Sequence, residues 1–599
     1  MKKSVVVIGV GPRGLGVLER LHAHCISGSL PEELSIHLID AVGEGQGVHE
    51  TAQPDYLLVN TVAGQITVFA DPTVADAGPV VFGPSLAQWA NVDSNIYLPR
   101  ATLGKYLRFA YRYFVDLLSA SIPLHEHKTS ASRVSRNDDG SYCVSLDNGE
   151  KIHADFLFLC TGHGSNRLNE EEEEIQRWVS SMAYKNPSAR YIPRCYPLSI
   201  LDGIPSDVRV GIRGIGLSAN DVVAALTAGR GGIFFRTKHG ELRYAVSGRE
   251  PSLYIFSRQS IPFSARAINQ KGVAGQHKAA FLTRDAIDLA RARRGRYQLN
   301  FRQDLLPLLI SEMCLAMRRA QSINTASLFI DGPTTEEKEL VYRLLCPNDD
   351  RQFSDIATYQ TYIVGLMQAD LQQANRGNVD DPIKAATDVI RDVRDNLRYA
   401  IEQRGLTAES HREFFEQFVP AMNRIAVGPP KERVEEWLAL IDAGVLKLAG
   451  GPGATMERSD SDGCFLVKTQ FAAQVHVAKV DVVVDARIEP ISLAYDNSPL
   501  LLALQDDGLV RPFFNGEFGA GGIDVDSNNH PRNAEGVLAP NMWALGNLAE
   551  GANFYTYILP RPMVSSRFIH DAGRAVLEML AAMRKPEPAR EFELSNDTS

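Results

Sequence analysis

Two stretches of the chain share one pattern, in which a hydrophobic run ends in a glycine turn and an amphipathic segment follows. The first is VVVIGVGPRGLGVLERL at residues 5–21, and the second is VRVGIRGIGLSANDVVAAL at residues 208–226. β-Branched runs are typical of strands that are buried on both faces, and apolar residues three or four positions apart are typical of helices. Each stretch therefore predicts a buried strand, a glycine turn and a helix.

The first turn has the spacing G-x-G-x-x-G, which suits a dinucleotide. Its residues are Gly9, Gly11, Pro12, Arg13 and Gly14. In this pattern the glycines allow a tight turn, a close approach of the backbone to a pyrophosphate, and close packing of helix on strand. The helix N-terminus then attracts the phosphates. The strand predicted at 35–39 ends in Asp40, whose carboxylate suits ribose hydroxyls. The alternative, a purely structural glycine turn, leaves Asp40 unexplained.

The second turn predicts a second dinucleotide. Its residues are Gly214, Gly216 and Ser218, with Ala219 at the position of the third glycine. Alanine at this position is a tolerated variant of the pattern. The strand predicted at 253–256 is followed by Ser257 and Arg258 instead of an acid, and Arg258 would pair with the 2′-phosphate of NADPH. The alternative is a turn that no longer binds nicotinamide, with Arg258 on the surface.

Three further segments resemble parts of the FAD site of two-dinucleotide flavoproteins. They are DFLFLCTGHG at 155–164, NMWALGNLAEGAN at 541–553 and LPRATLGKYLRF at 98–109. Thr161 and Gly162 follow the apolar strand of the first segment, and Gly546 and Asn547 lie in the second, where Asn547 replaces the usual aspartate. Arg100 lies at the start of a predicted helix. An ordinary buried strand is the alternative for the first segment, and a surface ion pair is the alternative for Arg100.

Five segments together resemble one family. They are GVGPRGLGVLERL, LLVNTVAGQITVF, RGIGLSANDVVAAL, SRQSIPFSARA and ALGNLAEGANFYTYILPRP. The chain is similar to bacterial FAD/NAD(P)-binding proteins that are distant relatives of lysine/ornithine N-hydroxylases and flavin-containing monooxygenases. The resemblance implies that residues 57–69 run beside the flavin and that Asn60 and Tyr555 lie near its ring, as candidate catalytic residues. A turn cap at Asn60 and a packing role for Tyr555 are the alternatives.

These patterns predict an α/β two-dinucleotide-binding flavoprotein. A Rossmann-like FAD domain is interrupted by an NAD(P)-binding-like domain that carries a largely helical insertion, interpreted as a substrate lid or dimerisation surface. The predicted bounds are 1–170 and 454–583 for the two parts of the FAD domain, 190–275 for the NADP-binding-like domain, 276–453 for the insertion and 584–599 for a flexible tail. The run VDVVVD at 480–485 predicts a strand that returns to the FAD sheet.

Composition narrows the classes of partner. The 599 residues carry 72 acidic and 62 basic side chains, a formal net charge of -10, which argues against nucleic acid as the main partner. The seven cysteines include no C-x-x-C pair, which favours reduced thiols and indicates no metal site. The apolar run at the N-terminus is too short for a signal peptide, and no run is long enough to span a bilayer. We therefore expect a cytoplasmic protein without a membrane partner, with homo-oligomerisation open.

The leading hypothesis is an FAD-dependent, NADPH-using monooxygenase, similar to N-hydroxylases, that acts on a small or carrier-bound metabolite. The reduced flavin would react with O2 and transfer oxygen through a flavin C4a-(hydro)peroxide inside a dry pocket. One alternative is a flavin oxidase or dehydrogenase of an amine or alcohol in which the nicotinamide domain is vestigial. Another is a non-catalytic FAD-bound assembly or regulatory protein. The sequence identifies no substrate.

Overall fold

A computed structural model describes residues 2–348 and 351–584 of the chain. The strands within these residues are, in chain order, β1 Lys3–Ile8, β2 Leu34–Ile39, β3 Leu124–His127, β4 Ala131–Arg136, β5 Tyr142–Leu146, β6 Lys151–Ala154, β7 Phe156–Leu159, β8 Arg190–Ile192, β9 Arg209–Arg213, β10 Ile233–Arg236, β11 Leu242–Ala245, β12 Ser252–Phe256, β13 Leu446–Leu448, β14 Thr455–Ser459, β15 Cys464–Gln470, β16 Val475–Val480, β17 Val482–Asp485, β18 Pro512–Asn515, β19 Phe518–Ile523 and β20 Met542–Ala544.

The α-helices of the same residues are α1 Pro12–Ile26, α2 Leu86–Ala90, α3 Arg100–Ser119, α4 Glu170–Met182, α5 Leu217–Leu226, α6 Arg284–Arg294, α7 Leu306–Ala320, α8 Ala326–Asp331, α9 Thr335–Leu345, α10 Ile356–Arg376, α11 Pro382–Asp392, α12 Arg394–Ile401, α13 Ala408–Glu413, α14 Val419–Ala426, α15 Lys431–Asp442, α16 Pro499–Asp506 and α17 Arg567–Arg584.

The first large sheet is parallel and has the strand order β20-β7-β1-β2-β3. Its central strand β1 is buried on both faces, because side chains that alternate along a strand point to opposite faces. Val5 and Val7 pack towards α1, α3 and α17, whereas Val6 and Ile8 pack towards β4–β6 and α16. The chain leaves β1 through the first glycine turn into α1, which confirms the predicted strand, turn and helix.

The second large sheet is also parallel, with the order β13-β12-β9-β17-β8. Strand β9 leads through the second glycine turn into α5, as predicted. The prediction that residues 480–485 return to the first sheet is wrong, because β17 pairs with β9 and β8 of the second sheet. A run of valines fits any parallel strand that is buried on both faces, so its pattern does not select between two such sheets.

Helices α6–α15 form the predicted helical region, which lies between β12 and β13 in the chain. The apolar faces of α6–α9, α11, α12 and α14 meet in one core, in which α7 packs on α11 through residues such as Leu309, Met313 and Val389. Helices α10 and α15 pack instead into the core of the second sheet. Near its end the region departs from the helical prediction, since Leu446–Leu448 adds strand β13 to the edge of the second sheet. The domain bounds as a whole stay predictions.

None of the helices within residues 2–348 and 351–584 combines the length and the apolar character that crossing a bilayer requires. The tail predicted at 584–599 lies, from residue 585 onwards, outside the described residues.

Candidate active site

The first glycine turn leaves no room for side chains on its glycines. Gly9 has a φ of +87°, and a Cβ atom there would lie 2.6 Å from the carbonyl oxygen of Cys160. A Cβ atom on Gly14 would lie 2.3 Å from the carbonyl oxygen of Gly9, so this glycine permits close packing of α1 on β1. Gly11 precedes α1 without a side-chain cap, and Pro12 occupies its first turn. The N–H groups at the start of α1 are thus free of side-chain acceptors, as a pyrophosphate site requires.

Asp40 organises the loop beside this turn. One carboxylate oxygen accepts a hydrogen bond of 2.8 Å from the N–H of Val10, and the other accepts bonds of 2.9 and 2.7 Å from the N–H groups of Val42 and Gly43. The following loop packs over the turn, since a Cβ atom on Gly47 would lie 3.0 Å from Pro12 Cδ. The sequence analysis missed this loop, although glycines at alternate positions from 43 to 47 signal it. Binding of ribose by Asp40 stays a prediction.

Arg13 connects the first turn to the C-terminal segment. It donates to the carbonyl oxygen of Thr556, and its guanidinium lies 4.5 Å from the ring centroid of Phe568. A Cβ atom on Gly546 would lie 2.5 Å from Arg13 Cγ, so Gly546 admits this side chain. Burial lowers the pKa of Arg13 to about 10, and Nη1 has no hydrogen-bond partner among the described residues. A buried guanidinium with one unpartnered N–H group beside the turn fits an anionic group such as the FAD pyrophosphate.

The other predicted FAD segments converge at the same edge of the sheet. Thr161 and Gly162 follow β7, and Gly546 and Asn547 follow β20, which pairs with β7 in parallel. The N–H of Leu545 donates to the carbonyl oxygen of Leu159 at 2.9 Å. Because the carboxyl ends of parallel strands form the usual ligand edge of such sheets, this convergence fits FAD. The individual contacts of these residues with a cofactor stay predictions.

The second turn repeats the geometry of the first. Gly214 has a φ of +136°, and a Cβ atom there would lie 2.4 Å from the carbonyl oxygen of Ala486. Gly216 precedes α5 without a side-chain cap, and Ser218 is buried in the first turn of that helix. Arg258 is exposed just after β12, the strand next to β9, at the edge where the turn lies. This position suits a 2′-phosphate, and the pairing stays a prediction.

A pocket that is partly open to solvent lies between the loop at residues 60–65 and helices α11 and α14. Asn60 lines it together with Thr61, Gln65, Tyr97, Arg266, Lys384, Asp388, Arg391 and other residues. Five separate chain segments meet here, at 60–65, Tyr97, 264–269, 378–391 and 425–428. Asn60 thus lines a cavity, while its position beside the flavin and its catalytic role stay predictions. The sequence analysis named none of the basic residues in the lining.

The arginines of the pocket differ in their partners. Asp388 holds Arg391 with a 3.0 Å ion pair, and Lys271 lies 2.6 Å from the same carboxylate. Arg266, by contrast, has a buried Nε without a hydrogen-bond partner among the described residues. Burial and the nearby charge of Arg391 lower the pKa of Arg266 to about 10. Arg394, close to the pocket, also has an unpartnered buried Nε. The pocket thus presents a buried guanidinium N–H, on Arg266, that no described residue accepts.

Two predicted site residues lie outside this lining. Tyr555 is buried in the core of the helical region, beneath the guanidinium of Arg394 at 4.0 Å, and its carbonyl oxygen accepts a 2.7 Å hydrogen bond from Arg398. Arg100 begins α3 and forms a 2.6 Å ion pair with Asp221 of α5. The structure supports the packing alternative for Tyr555. Arg100 does form an ion pair, but the pair is largely buried and does not lie on the surface as its alternative predicts. The catalytic role of Tyr555 and the cofactor contacts of Arg100 stay predictions.

Comparison with known proteins agrees with this arrangement. Residues 6–164 match the model of a family described as FAD-NAD(P)-binding. The chain is 33% identical to an L-aspartate N-monooxygenase (nitrosuccinate-forming) from Streptomyces davaonensis, over 84% of this chain and 85% of that protein. It is 30% identical to nitrosuccinic acid synthase from Aspergillus oryzae, over 96% of this chain and 93% of that protein. L-Lysine 6-monooxygenase from Pseudomonas syringae superimposes with a TM-score of 0.45 and 13% identity, over 97% of this chain and 99% of that one.

These findings confirm the predicted flavoprotein class and its cofactors, FAD and NAD(P)H. The match to the two relatives covers 84% and 96% of this chain, far beyond the matched family model. The chain belongs to the FAD/NAD(P)-binding family that contains these N-monooxygenases, and it is an FAD-dependent monooxygenase.

Proposed function

We propose that the chain hydroxylates the amine nitrogen of a free acidic amino acid, with L-aspartate as the substrate. The observation that carries the proposal is the guanidinium of Arg266, whose buried Nε has no hydrogen-bond partner among the described residues and which lines the pocket together with Arg391. A dicarboxylic amino acid brings two carboxylates, and arginine binds carboxylates through paired, charge-assisted hydrogen bonds. The names of the two relatives, both of which refer to aspartate or nitrosuccinate, support the same substrate.

Different residues of the pocket would bind the substrate carboxylates and orient its amine. Arg266 and Arg391 would neutralise the substrate carboxylates, and Asp388 would keep Arg391 in place through their 3.0 Å ion pair. Asn60, a neutral amide on the pocket wall, would orient the amine. Lys384 Nζ already donates to the carboxylate of Asp370 at 2.6 Å and to the carbonyl oxygen of Ala265 at 2.8 Å. We therefore assign it no direct hydrogen bond to the substrate.

FAD, when bound and reduced by NADPH, supplies the activated oxygen. In one cycle the amine N–H gains an oxygen atom from O2, the second oxygen atom leaves as water, and NADPH with a proton supplies the two electrons and two hydrogens. Repeated oxidation of the same nitrogen would yield nitrosuccinate. A substrate seated among these side chains would displace water from the reacting nitrogen, and the proposal is for a free metabolite and not a carrier-bound one. A cytoplasmic location, where NADPH is available, is part of this proposal.

The test uses the flavin-loaded enzyme. Anaerobic NADPH should bleach the flavin, and aerobic turnover with L-aspartate should consume NADPH and O2 while mass spectrometry detects the N-oxidised product. Arg266→Gln should raise KM by about 10- to 150-fold, since a hydrogen bond to a charged group contributes about 1.5–3 kcal/mol, and it should leave flavin reduction unchanged. Arg293→Gln, on the exposed face of α6, is the control.

Two outcomes would refute the proposal. If aspartate bleached the flavin directly and yielded only hydrogen peroxide and an oxidised amine, the enzyme would be an oxidase. If Arg266→Gln and Arg293→Gln raised KM equally, the pocket would not be the carboxylate site. L-Asparagine, which lacks the second carboxylate, tests whether the enzyme requires that group. L-Glutamate, in which this carboxylate is one methylene further from the amine, tests whether the enzyme requires that distance.

A further inference from the structure

A buried ion pair joins the unit built on the first large sheet, called the first unit, to the unit built on the second large sheet, called the second unit. Arg100, the first residue of α3, belongs to the first unit, and Asp221 lies on α5 in the second. Arg100 Nη1 is 2.6 Å from Asp221 Oδ2, and the two side chains are only 22% and 8% exposed. Because both side chains are largely desolvated, the loss of one partner would leave the other as an unpaired buried charge, so the pair constrains how α3 and α5 lie relative to each other.

The pair has further contacts on both sides. The hydroxyl of Tyr196 donates to the same carboxylate oxygen of Asp221. On the other side, Arg100 Nε donates to the carbonyl oxygen of Leu58 at 3.2 Å, and the Arg100 N–H donates to that of Leu57 at 2.7 Å. Arg100 is therefore held at its backbone and at its side chain by the segment that the family resemblance places beside the flavin.

This network reaches functional elements at both ends. Leu58 lies two residues before Asn60, which lines the pocket. Asp221 follows Asn220, whose Nδ2 donates to the carbonyl oxygen of Gly216 at 3.0 Å and whose backbone N–H donates to the same oxygen. Gly216 precedes α5 in the second glycine turn. Polar contacts, linked by two short stretches of backbone, thus connect the second turn to the pocket wall.

We propose that Arg100 and Asp221 are positioning residues for electron transfer between the two coenzymes. Their pair fixes the second glycine turn relative to the first unit, so that NADPH held at the turn is presented to the flavin in one orientation. The proposal rests on the binding of FAD and NADPH and is independent of the identity of the substrate. A contact that acts only on stability would affect folding without a specific effect on flavin reduction.

The test compares Asp221→Asn with Asp481→Asn in flavin-loaded enzyme without substrate. Asp481 pairs with Arg209 at 2.8 Å, and both residues lie in the second unit, so this pair is a matched control that does not cross between the units. Asp221→Asn should keep its flavin and should lower the limiting rate of anaerobic flavin bleaching by NADPH about tenfold, since small misplacements of reactants cost large factors in rate. Asp221→Glu, which keeps the charge, should recover most of the rate.

Hydrogen exchange adds a readout that does not depend on activity. In Asp221→Asn, amide exchange should accelerate in both segments 54–60 and 216–226, whereas Asp481→Asn should leave 54–60 unchanged. A bleaching rate within twofold of the wild type in Asp221→Asn, or an equal loss in Asp481→Asn, would overturn the proposal. If Asp221→Asn does not retain flavin, Tyr196→Phe, which removes one hydrogen bond from the carboxylate, should lower the rate about threefold, and an unchanged rate would overturn the proposal.

Discussion

Replacing Gly9 by alanine tests whether the first turn must be free of side chains. The added Cβ would lie 2.6 Å from the carbonyl oxygen of Cys160, 2.7 Å from its carbonyl carbon and 2.8 Å from Thr161 Cα. All three atoms belong to the backbone, so no side chain can rotate away. The backbone of Gly9 is also left-handed, with a φ of +87°. The substitution therefore forces β1 and the end of β7 apart at the point where the FAD segments converge.

Two physical terms set the magnitude. A non-glycine residue in the left-handed region costs about 1–2 kcal/mol, and an extra methyl group in a packed region costs about 1–3 kcal/mol. Together they predict a destabilisation of about 2–5 kcal/mol, which for a domain of this size lowers Tm by about 4–20 °C. Because the displaced atoms form the cofactor edge, part of this cost should appear as weaker FAD binding.

The assay measures Tm of the flavin-loaded protein and the FAD Kd of the apoprotein by flavin fluorescence. The control is Gly365→Ala in α10, where an added Cβ meets no atom within 4 Å and the helix favours alanine by about 1 kcal/mol. Gly365→Ala should keep full flavin and an equal or higher Tm. A Gly9→Ala protein with unchanged Tm and full flavin content would refute the steric argument, since the turn would then accommodate a side chain.

Three further predictions concern single side chains. Arg258→Ala should weaken NADPH binding more than tenfold, from the loss of about 1.5–3 kcal/mol, and leave NADH binding unchanged in a kinetic titration; equal losses would contradict a phosphate contact. Burial and the nearby charge of Arg404 lower the pKa of His411 to about 4. Between about pH 6.5 and 4, His411 is therefore protonated in the unfolded chain but neutral in the folded chain, which destabilises the fold. Tm should therefore fall as the pH drops through this window, and less steeply in His411→Gln; parallel pH profiles would contradict it. Trp543→Ala, which removes a fully buried ring stacked on Phe158 at 4.8 Å, should cost about 3–5 kcal/mol and lower Tm, whereas exposed Tyr184→Ala should not.

Both glycine turns could be predicted from sequence because their information is local. The strand, the glycines and the first helical turn follow one another within about twenty residues, and each glycine has a steric reason that the structure confirms, as at Gly9 and Gly214. The convergence of the segments around Thr161 and Gly546 could be expected from the resemblance to flavoproteins. No local pattern predicts that Arg13 bridges the first turn to Thr556.

The pocket could not be predicted, because its lining has no local signature. Arg266 lies in an irregular connector. Its surroundings, in which Nε has no hydrogen-bond partner among the described residues, are formed by α11 and α14, more than a hundred residues away in the chain. The strand at 482–485 was assigned to the wrong sheet for a related reason. Burial fixes the composition of a parallel strand, but the choice of partner depends on the path of the chain through α6–α15.

The chain order of the two sheets has a consequence for biosynthesis. Strand β17 is an interior strand of the second sheet, between β9 and β8, yet it follows the whole helical region, and β20 joins the first sheet only at Met542–Ala544. A ribosome-bound chain therefore exposes an unpaired strand edge in the second sheet until Val482–Asp485 has emerged, and in the first sheet until Met542–Ala544 has emerged. Such edges pair readily with other chains. Copies truncated before these strands should depend on chaperones, and flavin should be captured only after Met542–Ala544 has been synthesised.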